Sequence, residues 1–246
     1  MSSRTLHEWI KRRLAFITMK VRRGPLQGKS WNVTSGIKFI SGEYEPEKTE
    51  AIVDLINPAD VAFDLGAHVG YFTVLMSDCV GPGGKVVSFE PRDINFEFLQ
   101  QHVRINDCDN VETMNVGVGD RTGAARLETR MGTGRGYVSP DGDTDVRMVV
   151  LDELIRSGEL PVPQFLKIDV EGFEMEVLEG AKWLIETHRP KMVLATHTPA
   201  LEKACDDWLS ARGYEMKELQ ILGDTEWTVL PIEGAAATPL AKDSRA

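Results

Sequence analysis

The sequence predicts an α/β fold built on a mainly parallel sheet with helices on both faces. Three observations carry that prediction. Short apolar runs alternate with segments of helical period through the middle of the chain, the pattern of repeated strand–helix–strand units. The run Val61-Ala62-Phe63-Asp64-Leu65-Gly66-Ala67-His68-Val69-Gly70-Tyr71-Phe72-Thr73 reads as a buried strand, a glycine turn and the start of a helix. Glu90-Pro91 follows a second apolar strand, Lys85–Phe89, twenty residues beyond Gly70. That is about where the next parallel strand of a βαβ unit should end.

The elements follow in order. Ser41 to Pro46 leads into a helix through Ile52 and Leu55, closed by Asn57-Pro58. The first sheet strand is Val61–Asp64, and its helix carries Phe72, Leu75 and Met76. Gly81-Pro82-Gly83-Gly84 is a turn. After the second strand, Ile94, Phe98, Val103 and Ile105 share one helix face, and a third strand is expected over Val111–Val118. Residues 119–150 break the repeat, with strands expected at Ala124–Thr129 and Val146–Val150. The glycine-rich, basic stretch around Arg130–Tyr137 between them reads as a substrate lid or a plain loop. A short helix opens at Leu151. The strand ending at Asp169 precedes one helix with a stripe of Phe173, Val177, Leu178, Ala181, Leu184 and Ile185. Met192–Thr196 is a fifth strand. The helix bearing Leu201, Ala204, Trp208 and Leu209 is expected to be capped by Gly213, and Tyr214–Leu219 with Trp227–Leu230 form a terminal hairpin.

The turn chemistry narrows the ligand. Gly66 and Gly70 let the backbone approach a ligand and let the helix pack on the strand. The spacing is Asp-x-Gly-x-x-x-Gly, whereas a dinucleotide turn offers closely spaced glycines and bare N–H groups to a pyrophosphate. An acid in the turn opposes a pyrophosphate but suits S-adenosylmethionine, with its cationic sulfonium, zwitterionic tail and ribose. A carboxylate at Glu90 can accept from both ribose hydroxyls. Alone it would read as a solvated loop acid, but two acids at successive strand ends around a glycine turn favour the binding reading.

Composition sets the bounds. At 246 residues the chain is long enough for one α/β domain with a sizeable core. It has no apolar run long enough to span a bilayer, and Met1–Lys11 lacks the features of a signal peptide. Cys79, Cys108 and Cys205 are scattered, without metal spacing or a disulfide framework, so a reducing cytoplasm is the expected setting. A net charge of −10 argues against a nucleic-acid binder. Residues 1–23 are the exception, with seven basic side chains against Glu8. Interleaved with Trp9, Ile10, Leu14, Phe16 and Ile17, they read as a basic helix. It either makes weak contact with an anionic membrane surface or, the preferred reading, packs on the domain with its charges in water.

Three blocks together resemble one family. They are Asp64-Leu65-Gly66-Ala67-His68-Val69-Gly70-Tyr71-Phe72-Thr73, then Phe89-Glu90-Pro91, then Leu166-Lys167-Ile168-Asp169-Val170-Glu171-Gly172 with Glu174, Val177-Leu178 and Gly180 behind. The chain resembles the FkbM family of S-adenosylmethionine-dependent methyltransferases. Val150–Leu154 and Gly42-Glu43-Tyr44-Glu45-Pro46 share the likeness, which runs over roughly residues 42–220. The Lys-Ile-Asp-Val-Glu-Gly block is its most specific part.

The resemblance implies a Rossmann-like class I methyltransferase fold, a seven-stranded sheet with an antiparallel terminal strand. It implies an S-adenosylmethionine-dependent methyltransferase acting on a hydroxyl of a small molecule, sugar or lipid. The expected domain spans 42–232, between a basic helical and loop extension at 1–41 and a flexible tail at 233–246. Asp64, Gly66, Ala67, His68 and Gly70 would hold the amino acid end of the cofactor, with Glu43 upstream. Glu90 and Pro91 would hold the ribose, Gly117 and Val118 would lie near the adenine, and Asp169 would sit beside the transferred methyl group.

Methyl transfer from a sulfonium needs alignment and, for a hydroxyl, a base. His197, at a strand end on the ligand side, is the first candidate and Asp169 the second. A helix-capping or backbone-bonded His197 is the equal structural alternative. Asp169, Glu171 and His197 could also hold a divalent ion. That reading is not favoured, because Glu171 is placed to favour a helix N-terminus. The competing functions are a non-catalytic binding or scaffold protein, and a nucleic-acid methyltransferase. The second would need an Asn-Pro-Pro-Tyr-type block where Asp169-Val170-Glu171-Gly172 stands. A nicotinamide dehydrogenase would need a second, closely spaced glycine in the turn.

Overall fold

The computed structural model describes residues 9–128, 137–138, 141–219 and 225–233. In chain order the elements are β1 (Thr18–Lys20), β2 (Ser30–Asn32), α1 (Lys38–Ser41), α2 (Pro46–Leu55), β3 (Val61–Leu65), α3 (Tyr71–Val80), β4 (Lys85–Phe89), α4 (Asp93–Ile105) and β5 (Val111–Met114). There follow β6 (Gly117–Val118), β7 (Gly123–Glu128), β8 (Tyr137–Val138), β9 (Thr144–Val149), α5 (Leu151–Arg156), β10 (Phe165–Ile168), α6 (Glu174–Gly180) and α7 (Lys182–His188). The last are β11 (Lys191–Thr196), α8 (Pro199–Ser210), β12 (Tyr214–Leu219) and β13 (Thr225–Pro231).

The main sheet has seven strands in the order β12-β13-β11-β10-β3-β4-β5. The five strands from β11 to β5 run parallel, and β13 runs antiparallel between β11 and β12. Alternate residues of each strand face opposite layers. Ala62, Val86, Phe165 and Val193 pack against α2, α3 and α4. Phe63, Leu65, Val87, Leu166 and Ile168 pack against α5 to α8. Strand order reverses between β3 and β10, and the crevice opens at their carboxyl ends.

Register places one polar row inside this apolar sheet. Asp64 lies beside Lys167 on one neighbour and Ser88 on the other. The Asp64 carboxylate is fully buried, paired with Lys167 Nζ at 3.1 Å, and accepts from the Thr73 hydroxyl at 2.6 Å. A buried charge needs partners of this kind, so α3 and β10 are fixed to β3 through it.

The structure corrects several expectations. The strand expected over Val111–Val118 ends at Met114. The Asn115 side-chain amide donates to the carbonyl of Glu90 at 3.0 Å and diverts the chain. Gly117–Val118 then joins a separate four-stranded sheet, β6-β9-β7-β8, in which β7 and β9 are the two strands expected in residues 119–150. The single helix behind Asp169 is two, broken at Ala181, where φ is −114° and ψ 15°. The last helix ends at Ser210 with Ala211 as its cap, and Gly213 turns the chain three residues further on. Thr198 caps its start, accepting from the Leu201 N–H at 3.2 Å, with Pro199 in the first turn.

The basic helix expected over 1–23 is helical only over residues 9–13 within the described segment, and β1 follows. Ile17, Thr18 and Val21 are β-branched and favour strand there. Its β-partner carries Trp31, which is fully buried with Val21, Leu26 and Phe39 in the same cluster as Tyr71 and Phe98. Residues 130–136 of the stretch read as a lid, and the tail from 234, lie outside the described residues. No helix among the described residues is long and apolar enough to cross a membrane.

Candidate functional site

One cleft lies over the carboxyl ends of β3, β4 and β10, with about 1040 Å³ of open space including its mouth. Gly66, Ala67 and His68 form one edge and Glu90, Pro91 and Arg92 the next. Val116, Gly117, Val118, Leu127, Met148 and Phe173 form an apolar wall, and Asp169 and Glu171 lie at the far end. Phe39, Tyr44, Tyr71 and Phe72 make an aromatic side, with ring centroids 4.6–5.8 Å apart.

The β3–α3 turn is held from beneath. Gly66 has φ +79°, and a Cβ there would overlap the Asp169 carbonyl oxygen. The residue must therefore be glycine for β3 and β10 to approach. The N–H groups of Gly66 and Ala67 both donate to the Phe89 carbonyl, at 3.0 and 2.9 Å. The Gly66 carbonyl accepts from Lys167 Nζ at 2.9 Å.

Glu90 is nearly fully buried yet lines the cleft. Its carboxylate accepts from the N–H of His68 at 2.8 Å and of Arg92 at 3.0 Å, and from the Asn95 amide at 3.3 Å. Burial pushes its pKa up, to about 7, against the pull of those donors. His68 takes part through its backbone, at φ +51°.

Asp169 sits between two buried ammonium groups. Lys48 Nζ is 3.0 Å from Oδ2 and Lys167 Nζ 3.8 Å. Burial alone would raise the carboxyl pKa, but the two lysines hold it well below the ordinary range. Lys48 also pairs with Glu45 at 2.6 Å and with Glu226 from β13. Burial pushes Glu226 up to about 7.

His197 stands behind Asp169 and Glu171 rather than on the cleft wall. Its Nδ1 bonds the fully buried Glu174 carboxylate at 2.8 Å. Its Nε2 is 3.6 Å from Asp169 and 3.5 Å from Glu171. Burial would lower its pKa. The Glu174 bond and the Asp169 and Glu171 charges outweigh this and raise it to about 9. With Nδ1–H committed to Glu174, Nε2 is the atom that gains or loses the proton. The trio Asp169, Glu171 and His197 brings three potential ligand atoms within 4.8 Å of one another.

The fold thus gathers Gly66, Ala67, His68, Glu90, Pro91, Gly117, Val118 and Asp169 around one cleft. Asp64 lies beneath the floor, and Gly70 packs against Leu99. Glu43 lies on the surface outside the cleft, paired with Arg23 at 3.0 Å. Lys48, Lys167 and Glu174 drew no role from sequence reasoning. A lysine inside the apolar run Phe165–Ile168, two residues before an acid on the same strand face, was the available signal for Lys167.

The model of the methyltransferase FkbM domain matches residues 64–216. The chain belongs to the FkbM methyltransferase family. Hexuronic acid methyltransferase AglP of Haloferax volcanii is 31% identical over 123 residues, 49% of each chain. The 31-O-demethyl-FK506 methyltransferase FkbM of Streptomyces tacrolimicus is 28% identical over 162 residues, 52% of this chain and 61% of the relative. The chain thus spans about half to three fifths of the length of these curated relatives. Among solved structures, methyltransferase FkbM from Methylobacillus flagellatus superposes with a TM-score of 0.55 at 20% identity, over 80% of this chain and 53% of that one. An O-methyltransferase from Bacillus cereus, solved with S-adenosylhomocysteine, gives 0.52 at 14% identity, over 78% and 83%. These likenesses establish a class I methyltransferase fold.

Proposed function

We propose that the protein is an S-adenosylmethionine-dependent methyltransferase that methylates a hydroxyl of a small molecule, sugar or lipid. The observation that carries this is the Glu90 carboxylate, facing the same cleft as the Gly66 turn and the ionised Asp169. The residues fit the cofactor. Glu90 offers carboxylate oxygens to ribose hydroxyls. Gly117 leaves the wall flat, since a Cβ there would meet Met148 Sδ at 2.6 Å, and Val118, Met148 and Phe173 give an adenine an apolar seat. Asp169 faces the end where the cationic sulfonium and ammonium would lie, and its negative charge is secured by Lys48 and Lys167. Bound S-adenosylmethionine would supply an activated methyl group.

The remaining work falls to side chains of this chain. Asp169 is too acidic to serve as the base. His197, whose Nε2 lies beside the cleft-lining Asp169 and Glu171, is the group whose proton affinity suits a hydroxyl reaching between them, and Glu174 fixes its ring and stabilises the imidazolium it becomes. The AglP and FkbM relatives, named for hexuronic acid and 31-O-demethyl-FK506, support a hydroxylated acceptor. The proposed step calls for no metal, because Lys48 already balances Asp169 and Glu226, carboxylates that an ion would use.

The test is release of S-adenosylhomocysteine across a panel of sugar, small-molecule and lipid acceptors, with wild type and His197→Ala. The variant is expected to bind S-adenosylmethionine with unchanged affinity and to lose roughly 10²-fold or more in turnover. Unchanged turnover removes His197 as the base. Cofactor binding without turnover on any acceptor favours a binding or scaffold role.

A further inference from the structure

We propose that residues 9–23, together with Ile37, form a docking surface for an anionic phospholipid bilayer. Nine large apolar side chains are exposed among the described residues, and six of them fall in residues 9–19. Phe16 is 75% exposed and Trp9 49%, with Ile10, Leu14, Ile17 and Met19 at 38–43%. Such clustering is not what a water-facing surface shows.

The segment is tied to the domain by polar contacts of one side chain and of backbone carbonyls. Arg12 pairs with Glu97 at 2.6 Å, the Lys11 carbonyl accepts from Thr34, and the Ala15 carbonyl accepts from Asn32 and Gln101. The large apolar side chains point the other way, although the domain is packed directly behind them. Continuity extends the surface. The Val33 N–H donates to the Ile17 carbonyl at 3.1 Å, and Ile37, 76% exposed, ends the turn just before Lys38 and Phe39 at the cleft.

Charge selects the partner. Residues 9–23 hold six basic side chains and no acidic one, in a chain of net charge −10. Arg13, Lys20, Arg22 and Arg23 are exposed, and the Arg13 guanidinium lies 5.2 Å from the Trp9 ring. Aromatic and aliphatic groups set among Lys and Arg match the boundary between anionic headgroups and acyl chains. The net acidic remainder of the molecule is repelled by such a bilayer, which favours approach by this side.

The test is cosedimentation of the full chain with vesicles of phosphatidylcholine alone or mixed with phosphatidylglycerol, at low and high salt. Binding is expected only to the mixed vesicles, weakening several-fold as salt screens the headgroups. Phe16→Ser with Ile17→Ser is expected to cut binding roughly tenfold, as is Arg13→Glu with Lys20→Glu, with melting temperatures unchanged. Wild-type binding and its salt dependence stand alone should a variant fail to fold. Absence of binding at low salt, equal binding to neutral vesicles, or full binding by both folded variants overturns the proposal. So does a self-associated state whose formation these substitutions abolish while vesicles do not compete.

Discussion

His197 and Glu174 set the pH behaviour of the site. The imidazole pKa is raised from the ordinary 6.5 to about 9. Its stabilising interactions are therefore complete below 6.5 and are lost as pH rises through 9. Catalysis runs the other way, because only the neutral ring accepts a proton. Turnover is expected to rise with pH to a limb near 9, and Glu174→Gln is expected to move that limb toward lower pH while reducing maximal turnover. A pH–rate profile for both proteins checks this. A limb that stays in place shows that another group titrates. Glu174 had no readable signal, since a glutamate at the start of a helix is ordinarily a dipole partner. Only its complete burial against the ring of a distant histidine reveals the pair.

At the scale of elements, the turn between β3 and α3 was legible because the backbone conformation demands its residue type. Gly66 sits at φ +79° against the Asp169 carbonyl, and that demand is written into the sequence as a glycine. Gly66→Ala is expected to destabilise the fold by roughly 2–4 kcal/mol, measured by chemical denaturation. A change below about 0.5 kcal/mol would mean that β3 and β10 can separate freely. The side sheet was less legible. Its strands were expected, but the early end of β5 depends on an Asn115 hydrogen bond to the backbone of a different strand. Beside the break at Ala181 another loop passes so close that a Cβ on Gly180 would collide with the Gly119 carbonyl. Periodicity reports which face is buried and is blind to such contacts.

At the scale of the whole molecule, Lys48 ties together parts that the sequence leaves far apart. It is 2% exposed and meets Glu45 before α2, Asp169 after β10 and Glu226 on β13. Removing one partner of a buried ionic group leaves the others uncompensated. Lys48→Met is expected to cost about 3–5 kcal/mol near neutral pH. The loss should shrink on acidification, because Glu226, pushed up to about 7, takes up a proton. Melts across pH 5 to 8 check this, and a pH-independent loss would show that Lys48 acts by packing alone. No local pattern announces such a centre. The order of strands, by contrast, follows from apolar runs and crossover helices, which is why the sheet could be read and its polar interior could not.

The central claim is that this cleft holds S-adenosylmethionine by its ribose through Glu90. The most direct measurement is calorimetric titration of wild type and Glu90→Ala with S-adenosylmethionine, S-adenosylhomocysteine and NAD. The wild type is expected to bind the first two at roughly micromolar affinity and not the third, more tightly as pH rises through 7 and Glu90 ionises. The folded variant is expected to bind at least roughly tenfold more weakly. A folded wild type that binds neither compound, or a Glu90→Ala variant that binds both as well as the wild type, would contradict it.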